Sequence, residues 1–194
     1  MPIHEIQERW IRAFDRPRLA TLSRVRRRAE DLMSDKPAFV YVTYVESTPE
    51  AVWTALTDAD VTASYWGHSN VSDWQTGSAW EHRRTDGSGT ADVVGRVLES
   101  SPPRRLVTTW AMPGEESDEG ASRVTFDIEP YGSIVRLTVT HEGLADDTDR
   151  RTAAHGWAAV MSNLKSLLET GHVLPTVPWE MPPASAGGSS SPAV

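Results

Sequence analysis

One long amphipathic helix near the C-terminus constrains the fold of this chain more than any other feature. The stretch 149–171, DRRTAAHGWAAVMSNLKSLLETG, has apolar residues at positions i, i+4, i+7 and i+11, which form one face of an α-helix. These residues are Trp157, Met161, Leu164 and Leu168. Gly171 follows the last of them, as is typical of a helix C-cap. A helix with one apolar face needs a partner surface, which the rest of the chain must supply.

The preceding segments predict that this surface is a β-sheet. Residues 39–45, FVYVTYV, are continuously apolar and β-rich, which is consistent with a buried first strand. Two short helices are predicted next, over 47–56 and 58–66. Six β-rich segments separated by turn residues follow: 70–74, 78–84, 91–100, 105–111, 122–131 and 133–141. This order predicts an α+β fold in which a curved antiparallel sheet grips the long helix and leaves room for a cavity.

The first short helix has a start signal of its own. Ser47 is predicted to be the N-cap, and Pro49 suits the first turn. Glu50 follows Ser47 by three residues, so the two are expected to form a capping box.

Charge is unevenly distributed along the chain, whose formal net charge is −8. Residues 1–36 carry a net charge of +3, and the remainder carries −11. Two parts with different roles are therefore predicted. The acidic main part argues against nucleic-acid binding by its surface, because phosphates attract cationic surfaces.

Residues 1–36 are predicted to form a basic, amphipathic helical arm. Apolar residues recur at helical spacing on both sides of Pro17, and arginines cluster on the second stretch. These are Arg24, Arg26, Arg27 and Arg28. We expect the arm to pack on the domain or on a second copy of the chain, with its arginines solvated. The alternative is contact with nucleic acid or an acidic partner, which the interspersed Glu30 and Asp31 disfavour.

Composition predicts three parts and a soluble setting. The arm at 1–36 precedes a domain at 37–173 and an extended to disordered tail at 174–194, whose end is rich in Pro, Gly and Ser. Cysteine is absent, which excludes disulfides and thiolate sites and fits a cytoplasmic protein. No apolar run approaches the roughly 18–20 residues that span a bilayer. The N-terminus has no signal-peptide core, so no membrane partner is expected.

Seven stretches of the domain together resemble a known family. They are FVYVTYVESTPEAVWTALTD, SYWG, SDWQTGSAW, GRVLESSPPRRLVTTW, SRVTFDIEP, RLTVTHEGL and GWAAVMSNLKSLLETG. Across roughly residues 38–172, their order and spacing are similar to those of bacterial homologues of the activator of heat-shock protein 90 ATPase. These homologues belong to the START-like superfamily, also called SRPBCC.

The resemblance implies a helix-grip fold. In this fold a curved antiparallel seven-stranded sheet wraps around a long C-terminal helix, and two short helices follow the first strand. It does not imply one activity, because superfamily members bind lipids, hormones and polyketides, and some catalyse cyclisation or hydrolysis.

The arm carries a second resemblance. The pattern WIRAFDRPRLATLSRVRRRAEDL is similar to the terminal helical segment of ArsR-type repressors fused to this domain, where the segment helps to dimerise the protein. The resemblance implies a homodimer formed through residues 1–36. The winged helix-turn-helix that reads DNA is missing from this sequence, so we expect no direct contact with nucleic acid.

Large aromatic side chains are the main candidates for ligand contact. Rigid aromatic rings make good walls for an apolar pocket, although they equally fill the concavity of a curved sheet. Trp74 is one of the tryptophans expected to face the grip. We assign the ligand pocket to Trp53, Trp66, Trp80, His82, Trp110, His141, Trp157 and Met161.

Four histidines are candidate acid–base groups: His68, His82, His141 and His155. His141 is the catalytic candidate, because it shares a strand face with apolar residues and would point at the long helix if that face is concave. The alternative is a hydrogen-bonded core histidine. His155 lies one turn before the apolar stripe of that helix and could meet His141.

Known metal and cofactor motifs are absent. Residues 141–143, HEG, lack the second histidine of HExxH, and no P-loop, Rossmann or nucleophile-elbow pattern occurs. We therefore expect neither a metal nor a cofactor.

Three functions remain, and the sequence favours the first. It is the binding of a small hydrophobic or amphipathic molecule in a cavity between the sheet and the C-terminal helix. The second is a protein-interaction or cochaperone-like module, dimeric through residues 1–36, and the third is a cyclase- or hydrolase-type enzyme. A wide cavity favours binding, convergent histidines and carboxylates favour an enzyme, and a filled core with an exposed apolar arm favours interaction.

Overall fold

The computed structural model describes residues 38–115 and 121–181, so the predictions for the arm lie outside the described residues. The elements, in order, are β1 (Phe39–Val45), α1 (Pro49–Thr57), α2 (Ala59–Trp66), β2 (His68–Val71), β3 (Ala79–Arg84), β4 (Ala91–Ser101), β5 (Arg105–Trp110), β6 (Ser122–Tyr131), β7 (Ile134–Glu142) and α3 (Asp147–Thr170). A short 3₁₀ helix, Pro178–Glu180, follows. The predicted order of one strand, two helices, six strands and a long helix is confirmed.

The seven strands form one antiparallel sheet in the order β1-β7-β6-β5-β4-β3-β2. The register shifts between His82 and Arg83 in β3 and between Val97 and Glu99 in β4. Such bulges bend a strand and increase its twist, which helps the sheet to curl around α3. The predicted α+β helix-grip fold is therefore confirmed.

The core lies between the sheet and the helices. Alternate residues of β7, namely Val135, Leu137 and Val139, are fully buried. They belong to the same apolar cluster as Met161 and Leu164 of α3. Each large apolar side chain buried in this way contributes about 1.5–3 kcal/mol, so the grip on α3 is a main source of stability.

The prediction that the first strand is buried was wrong for one of its faces. Val40, Val42 and Tyr44 are 56%, 46% and 48% exposed. In the described part of the chain, β1 is an edge strand that pairs only with β7. A continuously apolar run shows that both faces are apolar, but the position in the sheet decides whether both are covered.

The start of α1 also differs from the prediction. Its N-cap is Thr48, whose Oγ1 accepts a hydrogen bond from the Ala51 N–H at 3.2 Å. Ser47 therefore lies one residue too early, and the predicted capping box with Glu50 does not set the boundary. Two adjacent residues could both cap, and Pro49 takes the favoured first helical position when Thr48 is the cap.

The long helix starts and ends at sequence signals. Asp146 caps α3 by accepting from the N–H groups of Thr148 and Asp149, at 2.7 and 2.9 Å. Gly171 ends it in the left-handed conformation, with φ of 76°, as its position predicts. None of the helices in the described ranges is long and apolar enough to span a membrane.

Candidate functional site

A cleft walled by tryptophans lies between the sheet and the two short helices. We call it the aromatic cleft. Its lining residues are Leu56, Trp66, Asn70, Trp74, Trp80, Leu106, Thr108, Trp110 and Phe126. The cleft contains about 240 Å³ of empty space when its open mouth is counted. In this conformation its interior has room for about one water molecule.

Two of the tryptophans are fixed by hydrogen bonds. The Trp74 indole N–H donates to the Thr57 carbonyl at 2.7 Å, and the Trp80 indole N–H donates to the Thr109 carbonyl at 2.9 Å. Gly95 makes the hydrogen bond between Trp80 and Thr109 possible, because glycine has no Cβ atom. A Cβ atom there would lie 2.4 Å from the Trp80 indole nitrogen and 2.1 Å from the Thr109 oxygen.

Trp74 is also held in an unusual backbone conformation. Its φ is 57°, in the left-handed region that bulky residues rarely adopt. Its backbone N–H donates to the Ser72 hydroxyl at 3.0 Å. Such strain persists only where the surroundings enforce it, and it is typical of functional sites.

The other two cleft tryptophans, Trp66 and Trp110, are less constrained. Their rings stack 6.2 Å apart at 22°, and both side chains are half-buried. Within the described residues, neither indole N–H has a hydrogen-bond partner. These two rings can therefore turn without breaking a hydrogen bond.

Two polar side chains interrupt the aromatic lining. Asn70 and Thr108 are 5% and 3% exposed. The Asn70 amide donates to the Leu56 carbonyl at 3.2 Å, and its carbonyl oxygen accepts from His82 Nδ1 at 2.7 Å. The Thr108 hydroxyl has no hydrogen-bond partner among residues 38–115 and 121–181. The Thr108 hydroxyl is thus open to the cleft and available to a molecule bound there.

His82 supports this arrangement from behind the cleft. Burial, with a contribution from the charge of His68, lowers the pKa of His82 to about 3. The ring is therefore neutral at physiological pH, and its Nδ1 proton holds the Asn70 carbonyl oxygen. His68 stacks on His82 with ring centroids 4.2 Å apart.

The charged neighbours of His68 neutralise one another. His68 Nε2–H donates to Asp92 at 2.9 Å, and Arg84 lies 2.7 Å from the same carboxylate. Hydrogen bonds from Arg84 and His68 hold the pKa of Asp92 far below its usual range. These charges lie outside the lining of the cleft.

The second buried histidine, His141, is fully hydrogen-bonded. The Trp157 indole N–H donates to His141 Nδ1 at 3.2 Å. In a neutral ring Nε2 then carries the proton, and it donates to the Ser122 hydroxyl at 2.8 Å. Ser122 in turn donates to the Trp110 carbonyl at 3.0 Å. We call these four residues the histidine clamp, which joins β5, β6, β7 and α3.

Burial lowers the pKa of His141 to about 4, so the clamp is neutral at physiological pH. Both ring nitrogens are engaged by protein groups, which is the arrangement of a core histidine rather than of a free acid–base group. His155 is exposed and makes no hydrogen bond to His141.

The predicted pocket residues fall into three groups. Trp66, Trp80 and Trp110 line the aromatic cleft. His82 and Trp157 lie behind it, with their rings 4.8 and 5.5 Å from that of Trp66. The remaining three lie away from the lining: His141 is in the clamp, Trp53 is half-buried on α1, and Met161 is fully buried in the core.

Several lining residues were absent from the predicted set. They are Leu56, Asn70, Trp74, Leu106, Thr108 and Phe126, of which Trp74 had been expected to face the grip. Strand periodicity could have found Thr108, because it alternates with Trp110 on one face of β5. No sequence signal marks Asn70.

Metal binding has no obvious site in the described ranges. There, no group of three or more His, Asp or Glu side chains is placed to hold a metal ion.

Comparisons with solved structures show the same fold. CalU16 from Micromonospora echinospora is 20% identical with a TM-score of 0.58, covering 72% of this chain and 78% of that one. The Aha1 dimer from Colwellia psychrerythraea is 21% identical with a TM-score of 0.58, covering 70% and 98%. An HSP90 activator from Plasmodium falciparum is 20% identical with a TM-score of 0.56, covering 68% and 95%.

Sequence comparison identifies the family. No curated protein matches the chain significantly. The family described as Activator of Hsp90 ATPase homolog 1-like protein matches residues 46–169. The match does not include the arm, whose similarity to ArsR-type repressors stays a prediction. Because the match covers well over half of the sequence, the chain belongs to this family and has the START-like (SRPBCC) fold that its sequence resembles.

Proposed function

We propose that the aromatic cleft binds a small hydrophobic or amphipathic molecule. The observation that carries this proposal is a cleft walled by four tryptophans, into which the Thr108 hydroxyl opens without a partner among the described residues. The rings of Trp66 and Trp110 stack without hydrogen bonds to their indole N–H groups in the described structure. A bound molecule can therefore stack on these rings and hydrogen-bond to the Thr108 hydroxyl.

The cleft is not in the position that the sequence predicted. We expected a cavity between the sheet and α3, but Trp157, Met161 and Leu164 fill that space. The lining residues come from α1, α2 and the strands instead. The ligand would thus lie against the two short helices.

Binding requires the cleft to widen, because its interior holds about one water molecule as it stands. Trp66 and Trp110 are the rings that would move, since neither indole N–H is hydrogen-bonded within the described residues. Trp74 and Trp80 would stay in place as fixed walls, because each is tied to a backbone carbonyl. The protein would select ligands that replace the stacking between Trp66 and Trp110.

Native mass spectrometry of the full chain, purified without added ligand, tests the proposal. We expect a bound small molecule on the 21.4 kDa chain and its loss in Trp110→Ala. Trp179→Ala is the matched control, because Trp179 is partly exposed and lies outside the cleft. Clean apo protein, together with no binding of added aromatic compounds, would overturn the proposal.

A second candidate function is interaction with a second copy of the chain. We infer it from the exposed side chains of Val40, Val42 and Tyr44, which form an apolar stripe on the outer face of an edge strand. Exposed apolar patches of this kind mark interaction sites. The structural relative from Colwellia psychrerythraea is described as a dimer.

Sedimentation velocity of the full chain tests this candidate. We expect a dimer that Val42→Lys weakens by at least tenfold, whereas Met112→Lys, at an exposed position just after β5, leaves it unchanged. Removal of residues 1–36 is expected to lower the oligomeric state as well, because the arm is predicted to take part. A monomeric parent protein would contradict both expectations.

A catalytic role gains no support from the cleft. Neither a histidine nor a carboxylate is among its lining residues in the described structure. The cytoplasmic location stays a prediction.

A further inference from the structure

We propose that the aromatic cleft selects neutral, flat aromatic compounds that carry a hydroxyl group, which hydrogen-bonds to Thr108 and Asn70. This inference rests on the proposed binding function and adds the chemical class of the ligand. Three properties of the cleft carry it: its shape, its lack of charge and its two polar side chains.

The shape favours a flat ring. Trp66 and Trp110 are inclined by only 22°, and Trp74 and Trp80 are inclined by 28° with centroids 6.3 Å apart. Aromatic rings prefer offset-stacked or edge-to-face contacts with such walls. An aromatic ligand can therefore replace the contact between Trp66 and Trp110, whereas a bulky aliphatic one cannot stack.

The absence of charge favours a neutral ligand. No Asp, Glu, Lys or Arg lines the cleft in the described structure. Asp92, whose charge acts on His82, is paired with Arg84. A carboxylate or ammonium group would lose its hydration in the cleft without gaining a counter-charge, which is unfavourable.

The polar side chains fit one hydroxyl group. The Asn70 carbonyl oxygen accepts from His82, and one amide hydrogen of Asn70 is donated to the Leu56 carbonyl. The second amide hydrogen of Asn70 is therefore available to a ligand. The Thr108 hydroxyl can donate and accept. A ligand hydroxyl can thus accept from Asn70 and donate to Thr108, whereas a methyl group in its place leaves both unsatisfied.

Three single-ring probes test the inference on the full chain: phenol, toluene and benzoate. Their affinities are measured by titration, with the indole N–H signals of Trp66 and Trp110 followed by NMR. We expect phenol to bind at least about tenfold more tightly than toluene, because a site built for a hydroxyl discriminates against its absence. Benzoate is expected to bind most weakly.

Thr108→Val removes the hydroxyl and keeps the shape of the side chain. It should abolish the preference for phenol while leaving the affinity for toluene unchanged or raised. Thr138→Val, on β7 and outside the cleft, is the matched control and should retain the preference. Melting curves of both variants check that they are folded.

The outcomes separate the two proposals. If native mass spectrometry shows clean apo protein and none of the probes binds, the binding function fails and this inference fails with it. If a molecule is bound but none of the probes binds, only this inference is overturned. If probes bind but toluene or benzoate equals phenol, or if Thr108→Val keeps the preference, the cleft binds ligands of another class and only this inference is overturned.

Discussion

The histidine clamp and the aromatic cleft are built from similar residues but differ in how their polar atoms are satisfied. In the clamp, His141, Trp157 and Ser122 pass hydrogen bonds in sequence to the Trp110 carbonyl. In the cleft, the Thr108 hydroxyl and two indole N–H groups have no partner in the described structure. Trp110 takes part in both regions. Its backbone carbonyl accepts a hydrogen bond in the clamp, and its ring lines the cleft.

This difference shows how a binding site can be told from a core when both are aromatic. Tryptophan content does not separate them, since each region has its own buried rings. Hydrogen bonding separates the clamp from the cleft, because the clamp pairs its buried polar groups, as most buried polar groups in proteins are paired. The predictions that follow test this distinction, from the largest expected effect to the smallest.

Trp157→Ala should cause the largest loss of stability. Truncation of a buried Trp typically costs about 3–5 kcal/mol, and here it also leaves His141 without its donor. Thermal and urea unfolding would measure the loss. Trp179→Ala is the control and should cost far less, because Trp179 is 36% exposed. An unchanged melting curve for Trp157→Ala would show that the clamp does not anchor α3.

Stability should fall as the pH falls from 7 to 5. Burial holds the pKa of His141 near 4 and that of His82 near 3, below the ordinary 6.5. Since the unfolded chain takes up these protons first, each histidine should lower the free energy of unfolding by about 2 kcal/mol over this range.

The loss begins as the pH drops through 6.5 and levels off below the folded-state pKa values. Urea unfolding at pH 7, 6 and 5 gives the slope of the free energy of unfolding against pH. In His141→Gln the slope should fall by about half, and His155→Gln, at an exposed position, should keep it. An equal slope in His141→Gln and the parent would mean that His141 is not held neutral.

Much of this architecture was predictable, because periodicity reports which face of an element is apolar. The apolar faces of β7 and α3 were read correctly, and the family resemblance supplied the number of strands. The exposed outer face of β1 was not predictable, since a strand's place in the sheet depends on nonlocal pairing with β7. The position of the cleft was not predicted either, because it depends on which residues of α1, α2 and the strands meet in space.

The cleft residues show the same limit. Trp66, Trp80 and Trp110 were predicted from their size and their expected face. Asn70 was missed, because its role arises from contacts with Leu56 and His82 that sequence spacing does not reveal. His141 and Trp157 of the clamp lie on consecutive elements, β7 and α3, but spacing along the chain does not show that their side chains are hydrogen-bonded.

Gly95→Ala should damage the cleft without touching the clamp. A methyl group there would collide with the Trp80 indole nitrogen and the Thr109 carbonyl oxygen. Forcing them apart should cost about 1–3 kcal/mol and shift the Trp80 indole N–H signal in NMR spectra. Gly156→Ala on α3 is the matched control, because nothing lies near its added Cβ and helical Ala is favoured by about 1 kcal/mol. Equal stability of the two variants would rule out close packing at Gly95.

Tyr65→Phe provides the smallest effect and the sharpest comparison with Thr108. Unlike the Thr108 hydroxyl, the Tyr65 hydroxyl is fully buried without a hydrogen-bond partner in the described structure, and burial raises its pKa well above the usual range. Tyr65 is fully buried in the apolar core and does not line the cleft. Removing its hydroxyl should therefore leave stability unchanged or raise it by about 1 kcal/mol.

Thr108→Val should change stability little, because the Thr108 hydroxyl is open to the cleft rather than enclosed in the core. The two variants should differ in binding: Tyr65→Phe keeps the preference for phenol over toluene, and Thr108→Val loses it. Urea unfolding and the probe titrations measure both effects on the same samples. A loss of stability in Tyr65→Phe would contradict this expectation, because it would show that the Tyr65 hydroxyl is hydrogen-bonded in solution.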